Sequence, residues 1–291
     1  MRRLTALALV LVCLTPCAGL AQETVEADFE GGHWLYEDTA QGVRVEIVRH
    51  EDTENRVLWY EADLVCGEDS PLRFLTANED APGRGFWYPE RLAREKRAVF
   101  AINDDQFGHR VYNHDTVGVI VRGGEVLSER TRKSGSKGWP PLDTAAFFPD
   151  GSMRVFESAE HTGEEYVQMG AETVLAFGPW LARGGGINPA LETSCRTGEP
   201  RTAIGMIEPY RYVAVFAEGR IKRGGGVPVR RLAGRMAGLG AVEAINLDGG
   251  KTSCLLFMGT KISLSNPDGR VRDGRRVSGL IGLGESDLVP E

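Results

Sequence analysis

The chain has 291 residues, of which 42% are hydrophobic and 26% charged, a balance that suits a globular protein with a sizeable core. Its formal charge of −7, with no long basic stripe, argues against general nucleic-acid binding. Five cysteines without Cys-x-x-Cys spacing argue against a cysteine-bound metal cluster.

At the N-terminus Arg2 and Arg3 precede an apolar run, Leu4 to Leu14, and Gly19-Leu20-Ala21 supplies small residues before Gln22. This pattern predicts an export signal over residues 1–21 and a secreted or periplasmic mature chain. Crossing a bilayer takes about 20 predominantly apolar residues, so the run is too short to span one, and no second such run follows. The mature chain is therefore expected to have no stable membrane insertion. Pro16 stands where a lipoprotein signal wants a small residue before Cys17, which reads against lipidation. Loss of the signal takes the formal charge from −7 to −9 and leaves Cys66, Cys195 and Cys254. Three thiols allow at most one internal bridge, with three possible pairings.

Residues 22–56 open as an acidic leader strand or edge segment, and residues 57–291 read as the functional domain. Short β-type runs bounded by turn residues dominate: 43–48, 57–65, 98–103, 117–121, 125–127, 145–148 and 153–156. Further runs fall at 174–177, 202–207, 212–217, 241–247, 254–257 and 277–283. Gly123-Gly124 and Pro149-Asp150-Gly151 are hairpin turns between such runs. Two helices are predicted, at 89–96 and 229–236. The expected class is α+β: a strand-rich mixed sheet with few helices in a single domain.

Each predicted helix feeds a similar strand. The first strand closes on Ala101-Ile102-Asn103-Asp104 and the second on Ala244-Ile245-Asn246, with Asp248 two residues on. In sheets packed with helices, ligands tend to sit beyond the carboxyl ends of strands, where these residues fall. The densest polar constellation is Asn246-Leu247-Asp248-Gly249-Gly250-Lys251-Thr252-Ser253. There a strand delivers two polar side chains, Gly249 and Gly250 let backbone approach a ligand, and Lys251 adds a cation. A plain Asp-Gly-Gly turn is the competing reading.

Ala244 to Gly250 with the hydroxyl residues after it resembles the signature of the phosphodiester glycosidase family. Three more segments match that family in order. Ala101-Ile102-Asn103 with Phe107 is similar to its Ala-Ile-Asn-Gly-Gly-Phe-Phe, Gly178-Pro179-x-Leu181 to its Gly-Pro-x-Leu, and Pro200 to Gly205 to its Pro-Arg-Thr-Ala-Ile-Gly. Asp104 and Asp105 stand in place of two glycines, Lys251 in place of a third, and Cys254 where a hydroxyl residue is common.

The resemblance implies hydrolysis of a sugar-1-phosphodiester, whose departing phosphate monoester needs little proton donation. What such a site needs is a carboxylate and anion stabilisation. Asp248 is the expected nucleophile or base, and one of Asp104 and Asp105 the second carboxylate, since neighbours on a strand point to opposite faces. Arg201 is the expected phosphate clamp. Asn103 and Asn246 would orient sugar hydroxyls, with Thr202, Ser253, Gly178, Gly249, Gly250 and Lys251 completing the substrate contacts. No cofactor is called for, and the expected partner is a phosphorylated carbohydrate.

Two alternatives stay open. One is a non-catalytic binder of phosphorylated or acidic glycans. The other is a metal-dependent phosphodiesterase holding Mg²⁺ or Ca²⁺ on Asp104, Asp105 and Asp248. Other features carry less. His109 and His114 lack metal-ligand spacing, and no Gly-x-Ser-x-Gly elbow occurs. Arg183-Gly184-Gly185-Gly186 and Arg223-Gly224-Gly225-Gly226 read as surface turns, and Arg270, Arg272, Arg275 and Arg276 as a solvated basic cluster. The signal predicts that secreted protein begins at Gln22; an intact mass showing Met1 or a lipid on Cys17 would contradict it.

Overall fold

The computed structural model describes residues 23–107, 118–130, 142–193, 199–222, 224–264 and 275–291. Its strands fall into three sheets. The first has nine, in the order β1 (Glu23–Asp28), β2 (His33–Asp38), β3 (Val43–Asp52), β4 (Val57–Val65), β15 (Arg211–Ala217), β14 (Arg201–Glu208), β16 (Glu243–Asn246), β12 (Trp180–Arg183) and β13 (Gly186–Ile187). The second runs β10 (Met153–Phe156), β9 (Asp143–Phe147), β11 (Thr173–Phe177), β7 (Gly118–Arg122), β8 (Glu125–Arg130). The third runs β18 (Thr260–Lys261), β17 (Leu255–Phe257), β6 (Ala98–Asn103), β19 (Gly279–Glu285), β5 (Arg73–Thr76).

All three sheets turn one face to a common core. Trp34, Tyr60 and Phe216 enter it from the first sheet, Phe147, Val155 and Leu175 from the second, and Phe100, Ile102 and Ile281 from the third. Period-two alternation explains the first: Val43, Val45 and Ile47 of β3 are buried while Arg44 and Glu46 stay on the outer face. Each sheet also carries one helix on its other face. α1 (Pro89–Glu95) lays Leu92 and Ala93 against β6 and β17. α2 (Gly163–Gln168) sets Tyr166 against Val119, Ala146 and Val174. α3 (Val229–Gly238) packs Leu232, Ala233 and Met236 on β14, β15 and β16. Because β6 lies between a helix and the core, all six of its residues are buried.

The strand-rich α+β class is therefore observed. The expected mixed sheet resolves into three in which every neighbouring pair is antiparallel. Parallel relations arise only across a gap of one strand. α1 connects β5 to β6, which flank β19, and α3 connects β15 to β16, which flank β14. The two similar helix-to-strand units thus occupy equivalent places in two sheets.

Three features go beyond the sequence reading. α2 is a third helix among the described residues, and its signal was present: Thr162 and Glu165 form a reciprocal capping box. The leader holds two strands, β1 and β2, ahead of the predicted run at 43–48, and β3 pairs with β4 over nine positions across residue 57, so leader and domain share a sheet. Cys66 and Cys254 are buried free thiols, so the pairing between those two is not made. Burial pushes both thiols up to about 12. Cys195, His109, His114, Arg223, Arg270, Arg272 and the signal lie outside the described residues. Arg183 to Gly186 forms the β12–β13 hairpin turn. Among the described residues no helix is long and apolar enough to cross a membrane.

Gly205 sets how closely α3 and β16 approach β14. A methyl group there would lie 2.6 Å from the Glu243 carbonyl oxygen and 2.9 Å from the Met236 terminal methyl. Gly205→Ala is expected to destabilise the protein by roughly 1–3 kcal/mol, the usual cost of overpacking. A chemical-denaturation midpoint equal to wild type would show that the contact yields.

Candidate active site

The two similar strand ends meet at one buried amide. Asn103, the last residue of β6, is fully buried, and its Nδ2 donates to the carbonyl oxygens of Asp104 (3.1 Å) and Asp248 (2.8 Å). Its Oδ1 accepts from Thr202 Oγ1 at 2.7 Å and from the Cys254 backbone N–H at 3.1 Å. The amide is saturated, because two donors and two lone pairs are all it offers. Thr202 in turn accepts the Leu247 N–H on its carbonyl at 2.8 Å. Asn103 thus ties the third sheet to the 246–254 segment and to the start of β14.

Asn246 closes β16 and behaves differently. Its Nδ2 donates to the Gly178 carbonyl at 2.9 Å, and its own carbonyl accepts the Gly178 N–H at 3.0 Å. Its Oδ1 is buried without a hydrogen-bond partner among the described residues. Asp143 braces this corner by accepting the Trp180 N–H at 2.9 Å and the Ser158 N–H at 3.0 Å. Burial is the main force raising the pKa of that carboxyl. A Cβ on Gly178 would lie 2.9 Å from Asp143 Cβ, and Gly178 has φ +81°, so glycine is required there twice over.

Arg201 and Asp248 lie at the same end of the paired strands β14 and β16. β14 and β16 pair Ala203 with Asn246, and the Leu247 N–H to Thr202 carbonyl bond carries the ladder one step further. Thr202 turns its hydroxyl toward Asn103, and Arg201, its neighbour on the strand, lies on the other face. Arg201 is 8% exposed and its Nε donates to the Val227 carbonyl at 2.6 Å. Asp248 is half-buried, and its Oδ1 accepts the Gly249 N–H at 2.9 Å. The Gly250 N–H donates to the Pro200 carbonyl at 3.0 Å. Both glycine N–H groups are therefore occupied by the protein itself. Gly249 is needed because a Cβ would lie 2.9 Å from the Pro200 oxygen. Beside Gly250 lies the Glu199–Arg220 ion pair, Lys251 is exposed, and Thr252 Oγ1 accepts from Arg275 Nη1 at 3.4 Å.

The two aspartates after Asn103 part company. Asp105 is 1% exposed; its Oδ1 meets Arg122 Nη2 at 3.0 Å and the Phe107 N–H at 3.2 Å, and its Oδ2 accepts the Ala176 N–H at 2.9 Å. That carboxylate serves a buried ion pair holding the turn after β6 to the second sheet. Asp104 accepts the Gln106 N–H on Oδ1 at 2.8 Å, and its Oδ2 lies against Gly279 of β19. It also lines a cavity of about 310 Å³ with Glu79, Asp80 and Ser278.

Among the described residues four buried side-chain atoms have no hydrogen-bond partner: Trp34 Nε1, Gln106 Oε1, Asn246 Oδ1 and Ser253 Oγ. Three of the four sit on the segments that Asn103 draws together. An unsatisfied buried polar group costs roughly 1–3 kcal/mol, which makes these segments the candidate place for a ligand. Gln106 and Asp143 escaped the sequence reading. Gln106 had a signal, since it stands where the resembled motif has an aromatic residue; Asp143 had none.

Fold and site define a strand-rich α+β protein with a buried polar site at the joined ends of two sheets. The phosphodiester glycosidase family model matches residues 96–283, and the chain belongs to that family, one of hydrolases acting on carbohydrate. A curated relative, the SPbeta prophage-derived uncharacterized protein YomE of Bacillus subtilis (strain 168), is 28% identical over 165 residues, covering 56% of this chain. The matched part spans only 24% of that relative's length. Among solved structures, the zebrafish N-acetylglucosamine-1-phosphodiester α-N-acetylglucosaminidase catalytic domain, auto-inhibited by its pro-peptide, superposes with a TM-score of 0.61 at 18% identity. That match covers 84% of each chain. A Burkholderia pseudomallei K96243 protein, whose name marks it as inferred to be exported, gives 0.53 at 13% identity over 78% of this chain and 74% of its own.

Asn103→Ala removes the partner of Thr202 Oγ1, the Cys254 N–H and the Asp248 carbonyl together. The expected loss is roughly 2–4 kcal/mol of stability, from groups left buried and unpaired. Thermal unfolding is the check: an unchanged melting temperature would mean that the strand ends hold without this amide.

Proposed function

We propose that this protein is an exported glycosidase that hydrolyses a sugar-1-phosphodiester link in a glycan or glycoconjugate. The observation that carries the reading is that three unpartnered buried atoms lie on the segments that Asn103 joins, which include the family signature. Export rests on Arg2, Arg3, the apolar run and Ala21.

In the proposed reaction the bond between the anomeric carbon and the phosphate oxygen breaks, and its electron pair leaves with the phosphate monoester. Water supplies the new oxygen on the sugar. Asp248 either takes the proton of that water or bonds to the anomeric carbon first and is displaced by water. Because the leaving group departs as an anion, no strong acid is required opposite it. That fits a site in which Asp105 is committed to Arg122 and Asp104 to the Gln106 N–H. Arg201, at the same end of the strand pair as Asp248, and Lys251 at the rim supply positive charge for the phosphate. Asn246 Oδ1 and Ser253 Oγ meet the sugar, with Gly178, Gly249 and Gly250 shaping the approach, while Asn103 and Thr202 hold the site together.

A non-catalytic binder of phosphorylated glycans is the second reading. It is favoured by the occupation of the Gly249 and Gly250 N–H groups, which leaves no empty anion nest in that turn. Turnover of an aryl phosphodiester sugar in H₂¹⁸O separates the two. Under the glycosidase reading the label enters the sugar. Asp248→Asn should then lose roughly a hundredfold or more in turnover, the scale of a positioned acid–base group, while melting like wild type. Equal rates for the two proteins would remove Asp248 from the chemistry, and no turnover by wild type would favour the binder.

A further inference from the structure

We infer that Gln106 is a sugar-recognition residue whose side-chain carbonyl oxygen accepts a hydrogen bond from a hydroxyl or amide N–H of an uncharged glycone. The substrate named here rests on the glycosidase reading; the recognition chemistry comes from Gln106 itself.

Gln106 is 4% exposed, and its Oε1 has no partner among the described residues. The orientation of the amide is assigned from its other end. Nε2 donates to the Arg276 carbonyl at 3.4 Å, and turning the group over would set oxygen against oxygen. The unsatisfied atom is therefore an acceptor. The backbone is unusual as well: Gln106 has φ +50°, in the left-handed region that a long side chain disfavours. Asp104 Oδ1 holds it there by accepting the Gln106 N–H at 2.8 Å. A strained backbone that carries a buried, unsatisfied group is a combination found where function outweighs stability.

Its place ties it to the site. Gln106 lies three residues after the saturated Asn103, and the 275–276 segment it touches also reaches Thr252 through Arg275, next to the unpartnered Ser253 Oγ. An acceptor needs a donor. A phosphodiester carries no proton at neutral pH and offers none, whereas sugar hydroxyls and an N-acetyl N–H do. The part of the substrate that meets Gln106 is accordingly the sugar, with the phosphate on the side of Arg201 and Lys251.

Calorimetric titration of glucose 1-phosphate, N-acetylglucosamine 1-phosphate and inorganic phosphate into wild type and Gln106→Met tests this. Methionine keeps the length and removes the acceptor. The expected result is a loss on the order of tenfold in affinity for the sugar phosphate that wild type binds, the scale of one hydrogen bond. Inorganic phosphate should bind both proteins within about twofold, and the ligand-free melting temperature should change little, since removing the unpartnered Oε1 offsets losing the long Nε2 bond to the Arg276 carbonyl. Sugar phosphate affinity kept by the variant, lost in step with inorganic phosphate, or absent in wild type would overturn the inference. So would a melting temperature lowered by Gln106→Met and Gln106→Leu alike, which would assign the side chain to the fold. An inactive wild type whose sugar phosphate binding depends on Gln106 would instead sink the glycosidase reading alone.

Discussion

The site exists because one buried amide has every hydrogen-bonding position filled. Asn103 joins β6 of the third sheet to Thr202 at the start of β14 and to the main chain of Asp248 and Cys254. Two sheets that share a core need not share an edge, and a few ångströms of slip between them would separate the residues of the family signature. A fully satisfied polar junction resists that slip more sharply than apolar packing does, because its bonds depend on direction as well as distance.

This saturation separates two residues that look alike in the chain. Asn103 and Asn246 both close a strand fed by a helix, both follow Ala-Ile, and both are expected to meet sugar hydroxyls. The first spends its whole amide on protein, while the second keeps an acceptor unused beside Gly178. The aspartate pair divides in the same way. Asp105 is held by Arg122 in a buried ion pair, where loss of either partner would strand a charge, whereas Asp104 shapes the turn that carries Gln106. The two aspartates that replace family glycines thus act first as supports of the loop.

Support and function are distributed unevenly over the molecule. Gly205 and Gly249 are glycines because neighbouring backbone and side chains leave no room for a methyl group. Three sheets each backed by a helix bury a common core, and that stability tolerates a small set of unsatisfied atoms gathered at one end.

Much of the fold was legible in the chain because its signals are local. Alternation marks β3 and β4, Gly123-Gly124 and Pro149-Asp150-Gly151 mark hairpins, and Pro89 and the apolar spacing after Val229 mark α1 and α3. Thr162 with Glu165 marks α2 to a reader who looks for the capping box. The four ordered motifs were enough to place the chain in its family. Local pattern alone could not say which asparagine is saturated or that Asp105 would meet Arg122. It could not show that Gln106 would be buried without a partner. Each of those facts depends on pairing between residues far apart in sequence, and a hydrogen bond or ion pair is settled only once register and sheet packing bring both partners to the same place.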